Sequence, residues 1–299
     1  MTISVIIPVF NESEAIVDTV NQVFKIMDVN RVEFELVIVN DGSTDGSFNK
    51  VEEILKSFPD SNLKVIHHQH NLGYGAAIKS GILRANKEVI GILDADDTYE
   101  VVDLLKLLTH MIHFRFDMVV GQRQGRNFEG SLSKRLLRRL LKQLVEFMTG
   151  RKVPDINSGS RVFRKDLALQ NLNLLSDKFS FTTSITLAFM MRNAFVDYVP
   201  ISYHKRTGKS KVKIVQDSIR TFGFVLTVSL YFNPLRIFAP LSGIFFVLAL
   251  SSAIITLFLG NQIYVLMATI LLSTSAIIFG MGLVAHLFGD RALSINSKN

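Results

Sequence analysis

Val89-Ile90-Gly91-Ile92-Leu93-Asp94-Ala95-Asp96-Asp97 is the stretch on which the reading of this chain turns. Its first five residues carry no charge and match a strand buried on both faces, as in parallel sheets. Carboxylates follow at once, in the place where such sheets bind ligands, outside the carboxyl ends of the strands. Asp94 and Asp96 lie two apart, so an extended backbone would send both side chains to one face. Two carboxylates held close repel each other unless a cation sits between them or one is protonated. Oxygen ligands of this kind suit Mg2+ or Mn2+, and Mg2+ usually completes its shell with water and substrate phosphates. A diphosphate leaving group is the natural client.

The same alternation extends outward in both directions. Residues 3–7, 36–39, 63–67 and 118–120 read as further short buried strands, and residues 14–27, 47–58, 74–85 and 101–114 as the helices between them. Alternating β and α elements predict a parallel sheet with helices on both faces. Two more polar clusters fall at expected strand ends: Asn11-Glu12 after the first and Asn40-Asp41-Gly42-Ser43 after the second. No Walker-type GxxxxGK[ST] loop is present, which disfavours ATP-driven phosphoryl transfer. The chain has no cysteine, which excludes a disulfide framework, thiolate zinc sites and cysteine nucleophiles.

Charge divides the chain. Residues 237–289 contain no Asp, Glu, Lys or Arg, whereas everything before them carries a net charge of +6. A bilayer crossing needs about 20 apolar helical residues. The tract therefore predicts two membrane helices, residues 237–259 and 263–287, with Pro240 in the first turn of the first, where a missing N–H does little harm. Lys205, Arg206, Lys209, Lys211, Lys213, Arg220 and Arg236 precede the tract, Arg291 and Lys298 follow it, and the connector has no cation. The positive-inside rule then places the large domain and both termini in the cytoplasm. Residues 1–10 lack a basic n-region and a small-residue cleavage site, so no signal peptide is expected. The expected division is a catalytic domain over 1–212, a juxtamembrane amphipathic helix over 213–233, a hairpin over 234–290 and a tail over 291–299.

Two segments have the pattern of interfacial helices. Leu136, Leu137, Leu140, Leu141, Leu144, Val145 and Met148 recur at helical spacing opposite Lys134, Arg135, Arg138, Arg139 and Lys142; packing on its own domain is an equal alternative. Residues 215–232 form the second, between a basic loop and the first membrane helix. His67, His68 and His70 read as ordinary strand-end residues, because His67 and His68 leave a strand on opposite faces. No nucleic-acid recognition motif accompanies the basic charge.

Taken in order, Pro8-Val9-Phe10-Asn11-Glu12, Val39-Asn40-Asp41-Gly42-Ser43-Thr44-Asp45, Asn71-Leu72-Gly73-Tyr74-Gly75 and Asp94-Ala95-Asp96-Asp97 resemble the family 2 glycosyltransferases. Asp155-Ile156-Asn157-Ser158-Gly159-Ser160-Arg161 and residues 203–211 resemble the polyprenyl-phosphate branch, which includes dolichol-phosphate mannose synthase and bactoprenol glucosyltransferase. The resemblance implies an α/β GT-A fold, Rossmann-like with a mostly parallel sheet, followed by interfacial helices and two transmembrane helices. It implies an inverting transfer of a hexose from a nucleotide sugar to a polyprenyl phosphate, with Mg2+ or Mn2+, and leaves self-association open. It places Pro8, Val9, Asn11, Glu12, Asp41, Lys79, Asp94 and Ala95 around the nucleotide, and Asp94 and Asp96 on the metal. It puts Arg161, Arg206 and Lys211 beside phosphates, and Ser158, Gly159 and Arg161 in an acceptor loop.

The chain also departs from the family pattern. Thr98 stands where relatives often carry Gln, Ser160 where an aromatic or leucine is common, and Phe179-Ser180-Phe181-Thr182-Thr183 where several relatives are acidic. That last departure fits the chemistry. A sugar hydroxyl acceptor needs a general base, whereas a lipid phosphate is already anionic and needs alignment and attraction instead. Two other functions compete. A processive polysaccharide synthase would carry a tryptophan motif and more membrane helices, and this chain has no tryptophan. A non-enzymatic nucleotide-sugar-binding scaffold would not need the paired aspartates and basic loop.

Overall fold

The computed structural model describes residues 1–58, 62–124, 132–204 and 214–296. It divides into two compact units, Met1–Phe224 and Val225–Asn299.

The first unit alternates as expected at its start: β1 (Thr2–Val9), α1 (Ile16–Val29), β2 (Glu33–Asp41), α2 (Ser47–Ser57), β3 (Leu63–His68), α3 (Tyr74–Arg84), β4 (Val89–Ile92), α4 (Val101–Phe114) and β5 (Met118–Gln124). The apolar spacing of each helix shows how it docks. In α1, Ile16, Val20, Val23 and Met27 are fully buried, and in α4, Val101, Leu104, Leu108 and Met111 do the same work. These side chains meet Ile3, Val5, Ile7 and Val9 of β1 in one core. Burying each contributes roughly 1.5–3 kcal/mol.

Beyond β5 the chain is less regular: α5 (Leu132–Thr149), β6 (Arg161–Arg164), α6 (Lys165–Gln170), α7 (Phe181–Met191), β7 (Val196–Ser202) and α8 (Ile214–Phe232). The sheet has seven strands in the order β3-β2-β1-β4-β6-β5-β7. It is mixed rather than purely parallel, because β6 runs antiparallel to both β4 and β5. Neither β6 nor β7 was expected from the sequence. At four residues bounded by Arg161 and Arg164, β6 gives no apolar run to read. Strand order reverses between β2-β1 and β4, which opens a crevice at the carboxyl ends of β1 and β4.

Helix α5 divides its apolar positions. Val145 and Met148 are buried, whereas Leu140 and Phe147 are each more than half exposed. Part of the stripe therefore packs on its own unit and part faces outward.

The second unit is a helical hairpin of α9 (Leu235–Leu259) and α10 (Gln262–Asn296). Segments Leu235–Leu259 and Gln262–Phe288 are each long and apolar enough to cross a membrane. Gly260 closes α9 in the left-handed region at φ 62°. Because α9 begins at Leu235, Pro240 sits in its second turn rather than its first, and α10 continues past the expected end at 287. Small residues line the contact between the helices. Ser242 Oγ donates to the Ser275 carbonyl (3.0 Å), Ser275 Oγ to the Ser242 carbonyl (2.9 Å) and Ser252 Oγ to the Tyr264 carbonyl (2.9 Å).

Candidate active site

The loops after β1 and β2 are laced together. Asn11 adopts φ 53°, and its Oδ1 accepts the N–H of Thr44 at 2.7 Å; the Asn11 N–H donates to Ser43 Oγ and that of Glu12 to Ser47 Oγ. Asp41 is 2% exposed and its carboxylate is turned inward. It accepts the N–H groups of Leu72 (2.9 Å) and Gly73 (2.8 Å) and pairs with His68 Nδ1 (2.7 Å), while His68 Nε2 meets Ser80 Oγ. Gly42 is required here, since a Cβ would lie 2.4 Å from the carbonyl carbon of His70. Asp41 thus holds the turn that starts α3. Its neighbour Asn40 meets His67, which also meets Glu52. Pro8 and Val9 complete the β1 ladder against Val39 and Asn40, and Lys79 pairs with Asp177 at 2.8 Å.

After β4 the backbone does not stay extended. It turns through Ala95 and Asp96, and Asp97 takes φ 59°. The turn, not strand alternation, sets the relation between Asp94 and Asp96. Asn11 and Asp97 are non-glycine residues in the left-handed region, which costs energy that the surrounding contacts must hold. Thr98 orients Asp96: its hydroxyl donates to Asp96 Oδ1 at 2.6 Å. Asp94 Oδ1 accepts the Tyr74 hydroxyl at 2.9 Å. Burial, and then the Asp94 charge, push the Tyr74 phenol well above its ordinary range, so it remains a donor. Burial raises Tyr99 as well, and its hydroxyl oxygen accepts the Gly159 N–H at 3.0 Å.

The 155–161 segment is anchored from below. Arg123, at the end of β5, grips Asp155 with two bonds, Nε to Oδ2 at 2.7 Å and Nη2 to Oδ1 at 2.8 Å, and its guanidinium lies 5.3 Å from the centre of the Tyr203 ring. Burial works against both charges; the bonds from Arg123 outweigh it at Asp155, which is held below the usual carboxylate range, and Tyr99 and then Asp155 outweigh it at Arg123, which is held above its own. Arg161 is fully buried and makes no ion pair among the described residues. Its Nη1 donates to the Thr182 carbonyl (2.9 Å) and Thr186 Oγ1 (3.1 Å), and its Nη2 to the Ser158 carbonyl. Burial lowers its pKa, though a guanidinium stays charged. Ser158 Oγ, Ser160 Oγ, Arg161 Nε and Tyr198 OH are buried without a hydrogen-bond partner among the described residues. The neutral 179–183 segment supports this loop, through the Thr182 carbonyl and through Thr183 Oγ1, 3.3 Å from Asn157 Oδ1.

The structure therefore brings Asn11, Glu12, Asp94, Ala95, Asp96, Ser158, Gly159 and Arg161 to one rim of the sheet. Arg206 and Lys211 lie outside the described residues. Sequence reasoning missed Tyr74, Tyr99 and Arg123, whose roles depend on partners 20, 60 and 32 residues away. Among the described residues no group of three or more His, Asp or Glu side chains could hold a metal. The donors on offer are two carboxylates, Asp94 and Asp96, which fit a Mg2+ or Mn2+ ion that takes the rest of its shell from water and phosphate oxygens.

Comparison with known proteins agrees with this architecture. Residues 4–170 match the glycosyl transferase family 2 model and residues 233–290 the GtrB C-terminal hairpin. The low-salt glycan biosynthesis hexosyltransferase Agl6 of Haloferax volcanii is 28% identical over 75% of this chain, which spans only 53% of Agl6. The undecaprenyl-phosphate 4-deoxy-4-formamido-L-arabinose transferase of Yersinia pestis is 22% identical over 96% of this chain and 88% of its own. Glucosyl-3-phosphoglycerate synthase of Mycobacterium tuberculosis, crystallised with Mn2+, UDP and phosphoglyceric acid, superposes with a TM-score of 0.58 at 17% identity, covering 76% of this chain and 78% of its own. That likeness shows a GT-A-like fold. With the family model covering more than half its length, this chain belongs to glycosyltransferase family 2.

Proposed function

We propose that this protein transfers a hexose from a nucleoside diphosphate sugar to a polyprenyl phosphate, with inversion at the anomeric carbon. The observation that carries the reading is the crevice rim itself. Of the aspartates after β4, Asp94 lies against a loop backed by the buried Arg161, which makes no ion pair among the described residues, in a chain whose hairpin could cross a membrane. In the reaction a lipid phosphate oxygen forms a bond to the sugar C1 as the C1–O bond to the diphosphate breaks, its electron pair leaving with the diphosphate. No proton has to be removed, which suits the neutral 179–183 segment. Asp94 and Asp96 would hold Mg2+ or Mn2+, which offsets the charge of the departing diphosphate. Arg161 stiffens the acceptor loop and adds positive potential where two anions must meet, and Arg206 and Lys211 would contact the phosphates.

The relative from Yersinia pestis is named for an undecaprenyl-phosphate transfer, which supports the acceptor class. The distribution of Lys and Arg supports a catalytic unit and both termini on the cytoplasmic side. Incubating the purified protein with a panel of UDP- and GDP-sugars and undecaprenyl phosphate, with lipids resolved by mass spectrometry, tests the reading. One glycosyl phosphoryl lipid is expected; hydrolysis of the donor with no lipid product in any combination overturns it.

A further inference from the structure

Tyr74, Asp94, Gly159 and Tyr99 come from three separate segments, Asp94 and Tyr99 sharing the loop after β4, and meet at one point of the rim. Tyr74 opens α3, and its hydroxyl donates to Asp94 Oδ1 at 2.9 Å. Gly159 lies against the same pair: a Cβ there would stand 2.5 Å from Asp94 Oδ2 and 3.1 Å from the Tyr74 hydroxyl. The Gly159 N–H is held in turn by the Tyr99 hydroxyl at 3.0 Å. The Tyr74 ring cannot drift away, because Phe179 stacks on it with ring centres 5.7 Å apart and planes within 14°. The turn that delivers Tyr74 is fastened by Asp41 through the Leu72 and Gly73 N–H groups. The carboxylate expected to bind a cation and the loop expected to receive the acceptor are thus in van der Waals contact, with one phenol bound to the first and touching the second.

We infer that Tyr74 is a positioning residue, whose hydroxyl orients Asp94 toward a divalent cation and makes that orientation depend on the place of Gly159. This rests on the proposed cation-assisted transfer and adds to it a residue and a coupling. Groups that hydrogen-bond to metal-binding carboxylates commonly change metal affinity by about 10- to 100-fold when removed. Tyr74→Phe keeps the ring on Phe179 and removes only the donor. Gly159→Ala keeps Asp94 and Tyr74 but places a methyl group where the Asp94 carboxylate now sits. If the two act through one carboxylate, their effects on cation affinity will not add.

The test is Mn2+ binding to the full chain in detergent, followed by the electron paramagnetic resonance signal of free Mn2+, with Mn2+ alone and with UDP or GDP. Wild-type protein is expected to bind, and Tyr74→Phe to bind about 10-fold more weakly with an unchanged thermal melt. Gly159→Ala should also weaken binding, and the double variant should lose less than the two losses combined. In turnover, Tyr74→Phe should need about 10-fold more Mn2+ for half-maximal rate and recover most of the wild-type kcat at saturation, a rescue that a misfolded loop would not show. Equal Mn2+ affinity for wild type and Tyr74→Phe overturns the assignment while leaving the transfer reaction standing. Strictly additive losses overturn the coupling to Gly159. If wild type binds no Mn2+ under any of these conditions, the cation reading fails and this inference with it.

Discussion

Glu35 at one rim of the central sheet and the Asp94–Asp96 pair at the other are held in different ways. At the amino ends of β1–β3, Glu35 is 3% exposed and its charge is met on every side. Ser4 Oγ donates to it at 2.5 Å, Lys64 Nζ at 2.6 Å, the Asn86 N–H bonds it closely and the Lys87 N–H reaches it at 3.3 Å. At the carboxyl ends, the residues that meet Asp94 and Asp96 include the hydroxyls of Tyr74 and Thr98, which orient a carboxylate without neutralising it. The cation behind the 155–161 segment, Arg161, is buried with no ion pair among the described residues. Glu35 marks a closed rim, its charge met within the fold; on the proposed function Asp94 and Asp96 mark an open one, which receives a charged ligand.

The largest effect should come from the open rim. Asp96→Asn is expected to lower kcat by two to three orders of magnitude, about 3–4 kcal/mol in the barrier, while the protein still inserts into membranes and melts within about 2 °C of wild type. Turnover that is undiminished in this variant, or unaffected by EDTA, would refute the role given to the pair. Next is the closed rim, where the cost falls on stability instead. Glu35→Ala takes the acceptor from Ser4 Oγ, Lys64 Nζ and the Asn86 N–H and should cost about 1–3 kcal/mol in the unfolding of the first unit, read from urea melts, with the KM of the donor unchanged.

Arg161→Met sharpens the comparison further. Burying this cation with no ion pair among the described residues costs stability and offsets what its bonds to Ser158, Thr182 and Thr186 contribute, so this variant should lose about 10- to 100-fold in kcat and only about 1 kcal/mol in stability. A loss of stability as large as that of Glu35→Ala would place Arg161 in the scaffold rather than the site. Acid should also act on the Glu35 contribution. Burial raises the Glu35 pKa, but the donors from Asn86, Lys64 and Ser4 outweigh it and hold the carboxyl below its ordinary value of 4.5. A depressed folded-state pKa means that the contribution is whole above about pH 4.5 and is lost as pH falls through the folded value. Glu35→Gln should flatten that part of the stability curve. The smallest effect belongs to the hairpin: Ser242→Ala removes one interhelical bond and should cost about 0.6 kcal/mol, measured by unfolding in mixed micelles.

How much of this was legible beforehand differs along the chain. Strands β1 to β5 and helices α1 to α4 were readable because each is a single apolar period long enough to stand out, as in residues 89–93 and 101–114. The hairpin was readable for a simpler reason, 53 residues without a formal charge. β6 was not, because its four residues are bounded by two arginines, one of them fully buried. Nothing in the local pattern distinguishes a buried arginine from an exposed one. Resemblance marked out the 155–161 segment as an expected acceptor loop, but its fastening to Arg123 was not legible, since that contact spans 32 residues.

By itself the sequence determined the alternation of elements, the membrane-length hairpin and the place of the polar clusters at strand ends, since hydrophobic periodicity and charge density are local properties of the chain. Tertiary structure alone decided what those clusters do. It turned Asp41 inward to hold Leu72 and Gly73, bent the 94–97 segment out of the strand, ran β6 against its neighbours, and set Tyr74 between Asp94 and Gly159. The reason is physical. A hydrogen bond or a buried charge takes its meaning from its partner, and these partners lie tens of residues apart, beyond the reach of any periodicity in the chain.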